Sequence, residues 1–132
     1  MLDLLTPVRD AMFAALQSRV DASLGAVLDP VPENTLPPFF TFGDFESEDA
    51  SDKGDQVEQI TGRVVVLYRG DDSRVFYAMI HAARAALDRQ PIAGEGVALQ
   101  APRWLKTEAG DGANDDRLYA AILTFFLWAE PA

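Results

Sequence analysis

The side chains that could carry out chemistry in this sequence are few, and the first of them is the single histidine, His81. The chain has no cysteine, so a Cys–His or Ser–His–Asp site would depend on His81 as its only imidazole base. This histidine lies one position beyond the apolar stripe of a predicted helix, and no serine motif accompanies it. We interpret His81 as a structural or solvent-facing residue, and we predict no catalytic residue and no enzymatic activity.

Two acidic segments are candidates for metal binding. In residues 49–54 a glycine occupies the sixth place of a calcium loop, but Lys53 stands at a ligand position and Ile60 where such a loop needs glutamate. Residues 110–115 are similar to a calcium turn that works only in repeated arrays, and the turn occurs once. We interpret both segments as solvated hairpin tips, and we predict neither a metal site nor a cofactor.

The same two segments hold most of the net charge of −10. Residues 44–58 contain seven acids and one base, and residues 108–117 contain four acids and one base, which leaves a net charge of −1 for the rest. This surplus excludes a general DNA or RNA binder, because phosphate binding requires clustered lysine and arginine. It also disfavours docking on an anionic membrane surface.

Length and composition predict one domain over residues 1–132 with a real hydrophobic core, since 48% of the 132 residues are hydrophobic. The absence of cysteine excludes a disulfide scaffold and fits a reducing compartment. Asp3, Arg9 and Asp10 interrupt the apolar start, so we expect no signal peptide, and no apolar run approaches the roughly 18 residues of a membrane span.

Two helices are predicted from apolar residues at helical spacing. The first begins at Thr6-Pro7, read as an N-cap and first turn, and continues to Val20 or toward Leu28. The second follows a turn and cap at residues 70–73, and its buried face comprises Val75 or Phe76, Met79, Ile80, Ala83 and Leu87.

Four strands are predicted, at Phe39–Phe45, Val57–Arg69, Val97–Lys106 and Arg117–Trp128. Residues 47–56 are interpreted as a polar turn, and Pro102 places the third strand at an edge or a bulge. The order α-β-β-α-β-β predicts an α+β fold, a two-layer sandwich in which two helices cover one face of a four-stranded, mainly antiparallel sheet.

The last predicted strand is apolar on both faces, although its pattern alone is also compatible with a helix. Because two helices cover only one face of a sheet, the second face must meet something else, and a neighbouring subunit is the economical candidate. The predicted subunit-interface residues are Trp104, Tyr119, Leu123, Phe125 and Leu127.

Several segments resemble phage tail completion, or tail terminator, proteins. Leu2–Leu16 looks like their first helix, and Pro37–Gly43 looks like their first strand of proline, aromatic and alternating apolar residues. Gly62–Arg69 followed by Ala82–Leu87 is similar to their second strand and helix, and Leu118–Ala129 to their last strand. The resemblance extends over nearly the whole chain in order, length and turn placement.

The resemblance implies a structural protein of a tailed phage, a prophage or a gene transfer agent, assembled in the bacterial cytoplasm. Such proteins form a ring, typically hexameric, at the head-proximal end of the tail tube. The ring ends tube growth and offers the surface that joins the head. The implied partners are other copies of the chain, the major tail tube protein and a head–tail adaptor. DNA passes only in transit, and no membrane is involved.

The acidic tips suit such a conduit, since acids facing a lumen repel phosphates. A ring also needs heterologous contacts, in which one surface meets a different surface on the neighbour. If the second and third strands run parallel, the two tips lie at opposite ends of the sheet. The tip residues predicted to contact a partner or the lumen are Asp44, Glu46, Glu48, Asp49, Asp52, Asp55, Glu58, Asp111, Asp115 and Asp116.

Two other interpretations stay open. One is a head-completion adaptor or another minor tail protein with a related fold. The other is a small acidic binding domain or inhibitor that mimics nucleic acid. A ring in solution or on tail tubes favours the terminator, whereas a stable monomer that binds a basic protein favours the mimic.

Overall fold

The computed structural model describes residues 1–111 and 117–132, with the side chain of residue 111 outside this set. Within these ranges the chain forms two helices, a short 3-10 turn and six strands. In chain order they are α1 (Leu5–Arg19), the 3-10 turn (Ala22–Leu24), β1 (Ala26–Val27), β2 (Phe39–Asp49), β3 (Glu58–Arg69), α2 (Ser73–Leu87), β4 (Val97–Leu99), β5 (Arg103–Asp111) and β6 (Leu118–Pro131).

The mixed α+β class with two helices is confirmed, but the predicted four-stranded sheet is wrong. The strands form one six-stranded sheet in the order β1-β2-β3-β6, with β4 and β5 both paired to the far side of β6. The predicted third strand is divided at Pro102, which has no N–H to donate to a ladder. The two-residue β1 is too short to produce a periodic pattern, so no local pattern predicts it.

The first helix begins and ends earlier than predicted. Asp3 Oδ1 accepts hydrogen bonds from the backbone N–H groups of Leu5 (3.0 Å) and Thr6 (3.1 Å), so the predicted cap at Thr6 is wrong. Hydrogen bonds from Thr6 also lower the pKa of Asp3, because they stabilise its charged form. The helix ends at Arg19, and the segment toward Leu28 forms the 3-10 turn and β1 instead of more helix.

The second helix agrees with its prediction. Asp72 caps it by accepting from the backbone N–H of Arg74 at 3.0 Å, as expected for an aspartate at this position. Its predicted face is buried at Phe76, Met79, Ala83 and Leu87.

The core lies between the two helices and one face of the sheet, which we call the inner face. Helical side chains such as Met12 and Met79 and strand side chains such as Phe40, Val64 and Phe125 are all fully buried there. Gly62 in β3 leaves space for the aromatic ring of Phe45 on the neighbouring strand. A Cβ atom at Gly62 would lie 2.5 Å from the ring of Phe45, which packs against the core.

The registers place the two hairpins at opposite ends of the sheet. Both β3 and β5 are antiparallel to β6, so these two strands run in the same direction, as the opposite-tips expectation requires. The β2–β3 hairpin closes beyond the pair Asp49–Glu58, whereas β5 and β6 are paired at Asp111–Tyr119, near the other end of β3.

Candidate assembly surfaces

The predicted subunit interface lies mostly inside the subunit. Leu123, Phe125 and Leu127 are 0–1% exposed and belong to the core beneath the helices, so they are not available to a neighbour and this part of the prediction is wrong. Both faces of β6 are apolar, and nothing in its own pattern tells which of them the helices cover.

Tyr119 and Trp104 are half-buried residues on the same inner side. The Tyr119 ring lies 5.2 Å from that of Phe76 on α2. The Arg84 guanidinium lies 3.6 Å from the centre of the Trp104 ring, whose Nε1–H donates to Thr107 Oγ1 at 2.9 Å. Both aromatic residues therefore serve chiefly to attach α2 to the sheet.

The opposite, outer face of the sheet carries the apolar surface that the core leaves uncovered. Ile122 and Trp128 are 38% and 40% exposed. The apolar side chains of this face in β3 and β6 lie outside the core cluster, and we call them the outer stripe: Val65, Leu67, Ile122, Phe126 and Trp128. Exposed apolar patches of this kind on a subunit are typical of interaction surfaces.

A polar atom is buried in the middle of the outer face. Thr124 is 3% exposed, and its Oγ1 has no hydrogen-bond partner among the described residues. In the register Thr124 lies between Arg63 and Lys106. A buried hydroxyl without a partner costs stability, so Thr124 lowers the stability of the subunit relative to an apolar side chain of the same shape.

Most of the acids of the first predicted tip lie on strands. β2 extends through Asp49, so Asp44, Glu46, Glu48 and Asp49 are exposed strand residues, and the predicted turn at residues 47–56 is shortened to 50–57. Residues 46–49 are four consecutive polar residues, so they lack the alternating apolar signal that would have predicted a strand. We call Asp44, Glu46, Glu48 and Asp49, together with Asp52 and Asp55 of the turn, the acidic edge.

The acidic edge has few internal partners. Arg63 donates to Glu46 at 3.1 Å, and the Asp49 carboxylate accepts hydrogen bonds from Ser51, which lowers the pKa of Asp49. The last predicted acid of this segment, Glu58, lies half-buried at the start of β3 and accepts from Gln56 at 2.8 Å.

The acidic edge is also an edge of the sheet. β1 pairs only with Phe39 and Phe40, so from Thr41 onward β2 has no neighbour on that side within the described part of the chain.

The second predicted tip is only partly described. Asp111 is the last residue of β5, opposite Tyr119, and its side chain, like Asp115 and Asp116, lies outside the described residues. The structure therefore brings the acids of the first tip together and separates them from Asp111 by the length of the sheet.

His81 is exposed on α2. Among the described residues no three histidine, aspartate or glutamate side chains lie close enough together to hold a metal ion. In the same residues no helix has the length and apolar character needed to cross a membrane.

Comparison with known proteins then places the chain in a family. The sequence model described as "Tail completion protein gp17" matches residues 10–130. The chain belongs to this family. Its members are structural proteins of phage tails, so the resemblance predicted from the sequence is confirmed.

A solved structure has the same fold. A chain of the "Virion of native gene transfer agent (GTA) particle" aligns with a TM-score of 0.84 and 21% sequence identity, covering 98% of this chain and 99% of that one. No curated protein matches the chain in sequence.

The outer stripe was missed by sequence reasoning, although one signal pointed to it. In β3 the polar residues Gln59, Thr61 and Arg63 alternate with buried Ile60, Gly62 and Val64. The polar set therefore marks the outer face of β3. Carrying that assignment to β6 needs the strand register, which the sequence does not contain.

Proposed function

We propose that this chain caps the head-proximal end of a tail tube as a ring, typically hexameric, that ends tube polymerisation and provides the surface for joining the head. The observation that carries this proposal is membership of the tail completion family over residues 10–130. The fold shared with a chain of a gene transfer agent virion supports a place in such a particle.

The distribution of surfaces on the subunit also supports a ring. Ring closure needs two different surfaces on each copy, and the chain has an acidic edge on one side of its sheet and the cationic residues Arg103 and Lys106 on the other. The outer stripe adds an apolar surface for the tube protein or the head–tail adaptor, with Ile122 and Trp128 most exposed.

The acidity of the chain is compatible with a ring through which DNA passes without binding to the protein. Acidic side chains near a channel repel phosphates, and binding to DNA would need the clustered cations that this sequence lacks. In this proposal the chain acts as one domain over residues 1–132 and works by contact alone, with no catalytic step and no cofactor.

Removal of the protein from a particle-producing strain tests the proposal. We expect tail tubes of uncontrolled length and heads that carry no tails, both visible by negative-stain electron microscopy. Expression of the wild-type chain from a plasmid should restore uniform, joined tails.

The same experiment distinguishes the head-completion alternative. Tails of normal, uniform length that fail to join heads would contradict a terminator and indicate an adaptor. Normal particles in normal numbers would contradict both roles.

A further inference from the structure

We propose that the ring closes when the acidic edge of one subunit docks on the opposite edge of the sheet of the next subunit, at Arg89 and Arg103. This inference rests on the proposed ring and names the surfaces that meet in it. The occupant of each edge is therefore a second copy of this chain.

Arg89 and Arg103 differ from five other arginines of the chain, which form ion pairs with described carboxylates. The chain has 21 acids and 11 lysines and arginines, and other arginines pair within the subunit: Arg9 with Asp29 at 2.9 Å, Arg63 with Glu46 and Arg74 with Asp72 at 3.1 Å. Among the described residues, neither Arg89 nor Arg103 forms an ion pair.

Arg89 and Arg103 lie together in a shallow pocket of about 220 Å³ that is also lined by Gln100 and Ala101. The backbone N–H of Arg89 donates to the carbonyl oxygen of Pro102 at 2.7 Å, which fixes the end of α2 against the entry to β5. A guanidinium presents a planar set of donors that matches a carboxylate. The pocket is therefore suited to an acidic side chain from outside the subunit.

The acidic edge offers such side chains. Asp44, Glu48, Asp52 and Asp55 are exposed, and the described residues supply none of them with an ion pair. Acids along an open strand edge also prevent two such edges from pairing with each other, because their charges repel. The acidic edge therefore disfavours contact with a second acidic edge and favours contact with a cationic surface.

The register places the two edges at the same height along the strands. Glu46, Thr61, Phe126 and Arg103 occupy one row across the sheet. Glu48, Gln59 and Trp128 occupy the next, where the backbone N–H of Gln100 donates to Trp128 at 3.0 Å. A head-to-tail contact between the edges therefore needs no shift along the strands.

The two edges cannot meet within one subunit. Three strand spacings separate β2 from β5, which amounts to about 14 Å. Each edge is therefore free to contact a different neighbour, and a contact of this heterologous type forms a closed ring when its rotation closes.

Charge reversal tests the contact. We expect the double variant Arg89→Glu/Arg103→Glu to raise the subunit concentration at half-assembly by about tenfold or more, because it sets like charges against each other. Assembly is measured by mass photometry in solution and by electron microscopy on isolated tail tubes. The reversed partner variant, Glu48→Arg/Asp52→Arg, should also fail to assemble. A chain that carries all four substitutions should assemble again, because the charges on both edges are then reversed together.

Arg74→Glu is the matched control. Arg74 is also an exposed arginine, 91% accessible, and it lies in the first turn of α2, where an acidic side chain is tolerated. It should assemble like the wild type, and circular dichroism should show that every variant is folded.

The outcomes separate this inference from the proposed function. Rings of the wild type that persist unchanged in the Arg89→Glu/Arg103→Glu variant would overturn the docking of these edges and leave the terminator role intact. Normal rings that lose only their binding to tubes would also overturn it, since the arginines would then contact the tube protein. A wild-type chain that forms no ring, in solution or on tubes, would overturn the proposed function together with this contact.

Discussion

The inner face of the sheet is closed by α1 and α2, whereas the outer face presents apolar side chains that neither helix covers. Adjacent residues of β6 illustrate the difference, since Leu127 is 1% exposed and Trp128 is 40% exposed. The helices stabilise the subunit through the inner face. The outer stripe and the two sheet edges leave apolar and charged groups exposed on the subunit. In the proposed function, the inner side of these strands stabilises the subunit, and their outer side and edges serve assembly.

The largest effect should follow from truncating the inner face. Phe125→Ala removes a fully buried ring, and we expect the free energy of unfolding to fall by about 3–5 kcal/mol. Urea unfolding followed by circular dichroism measures the change. A loss below about 1 kcal/mol would contradict the assignment of this face to the core.

A smaller loss should follow from Gly62→Ala. The new Cβ atom would lie 2.5 Å from the Phe45 ring, so the ring must move, at a cost of about 1–3 kcal/mol. Gly110→Ala is the control, because a Cβ there would meet no described atom within 4 Å apart from its own chain neighbours. Equal unfolding midpoints for the two variants would refute the close approach of Phe45.

Removal of the buried Thr124 hydroxyl on the outer face should stabilise the subunit instead of destabilising it. Thr124→Val replaces a hydroxyl that has no partner in the described part of the chain with a methyl group, and we expect the free energy of unfolding of the isolated subunit to rise by about 1 kcal/mol. The control is Thr107→Val, which should destabilise the subunit because Thr107 accepts from Trp104. A Thr124→Val variant less stable than wild type would show that the hydroxyl has a partner.

The outer stripe should matter little for the isolated subunit. Trp128→Ser should change the free energy of unfolding by less than about 0.5 kcal/mol, while lowering incorporation into particles. Leu127→Ala, one residue away on the inner face, should instead lower the free energy of unfolding of the subunit. Quantitative immunoblotting of purified particles gives incorporation, and normal incorporation of Trp128→Ser would remove the stripe from the assembly account.

A further effect concerns the cap of α2, the helix that covers part of the inner face. Hydrogen bonds from Arg74 lower the pKa of Asp72 below its usual 3.8, so the folded state favours the ionised carboxylate. The stability it contributes is present above pH 3.8 and is lost as the pH falls through the lower folded pKa. The melting temperature of Asp72→Ala should therefore be lower than that of wild type at pH 6, with the difference shrinking below pH 3.8. A difference that does not depend on pH would contradict this role of the charge.

Much of the fold could be predicted because its elements have strong local signals. Val64–Tyr68 is a continuous run of apolar, mostly β-branched residues, and the face from Phe76 to Leu87 has helical spacing, so the strand and the helix are both predicted correctly. The ends of elements depend on single contacts, such as the Asp3 carboxylate at α1, and on pairing with distant strands, as in β1. A local pattern does not contain those contacts.

The sequence predicts which acids form the candidate assembly surface, but it does not predict where those acids lie in the fold. The acids of residues 44–58 were identified from charge alone, but their position on a strand edge depends on the pairing of Asp49 with Glu58. The arginine pocket joins the end of α2 to the start of β5, and no sequence spacing brings Arg89 and Arg103 together. Residues that are distant in the chain meet only through the fold.

Tube elongation in vitro tests the central claim most directly. Purified major tail tube protein is polymerised from seeds, and this chain is added during growth. We predict that tubes stop growing at one end and stay at the length reached when the chain was added, with a ring visible on that end. Tubes that continue to grow at the same rate at saturating chain concentration would contradict the assignment of this protein as the tail terminator.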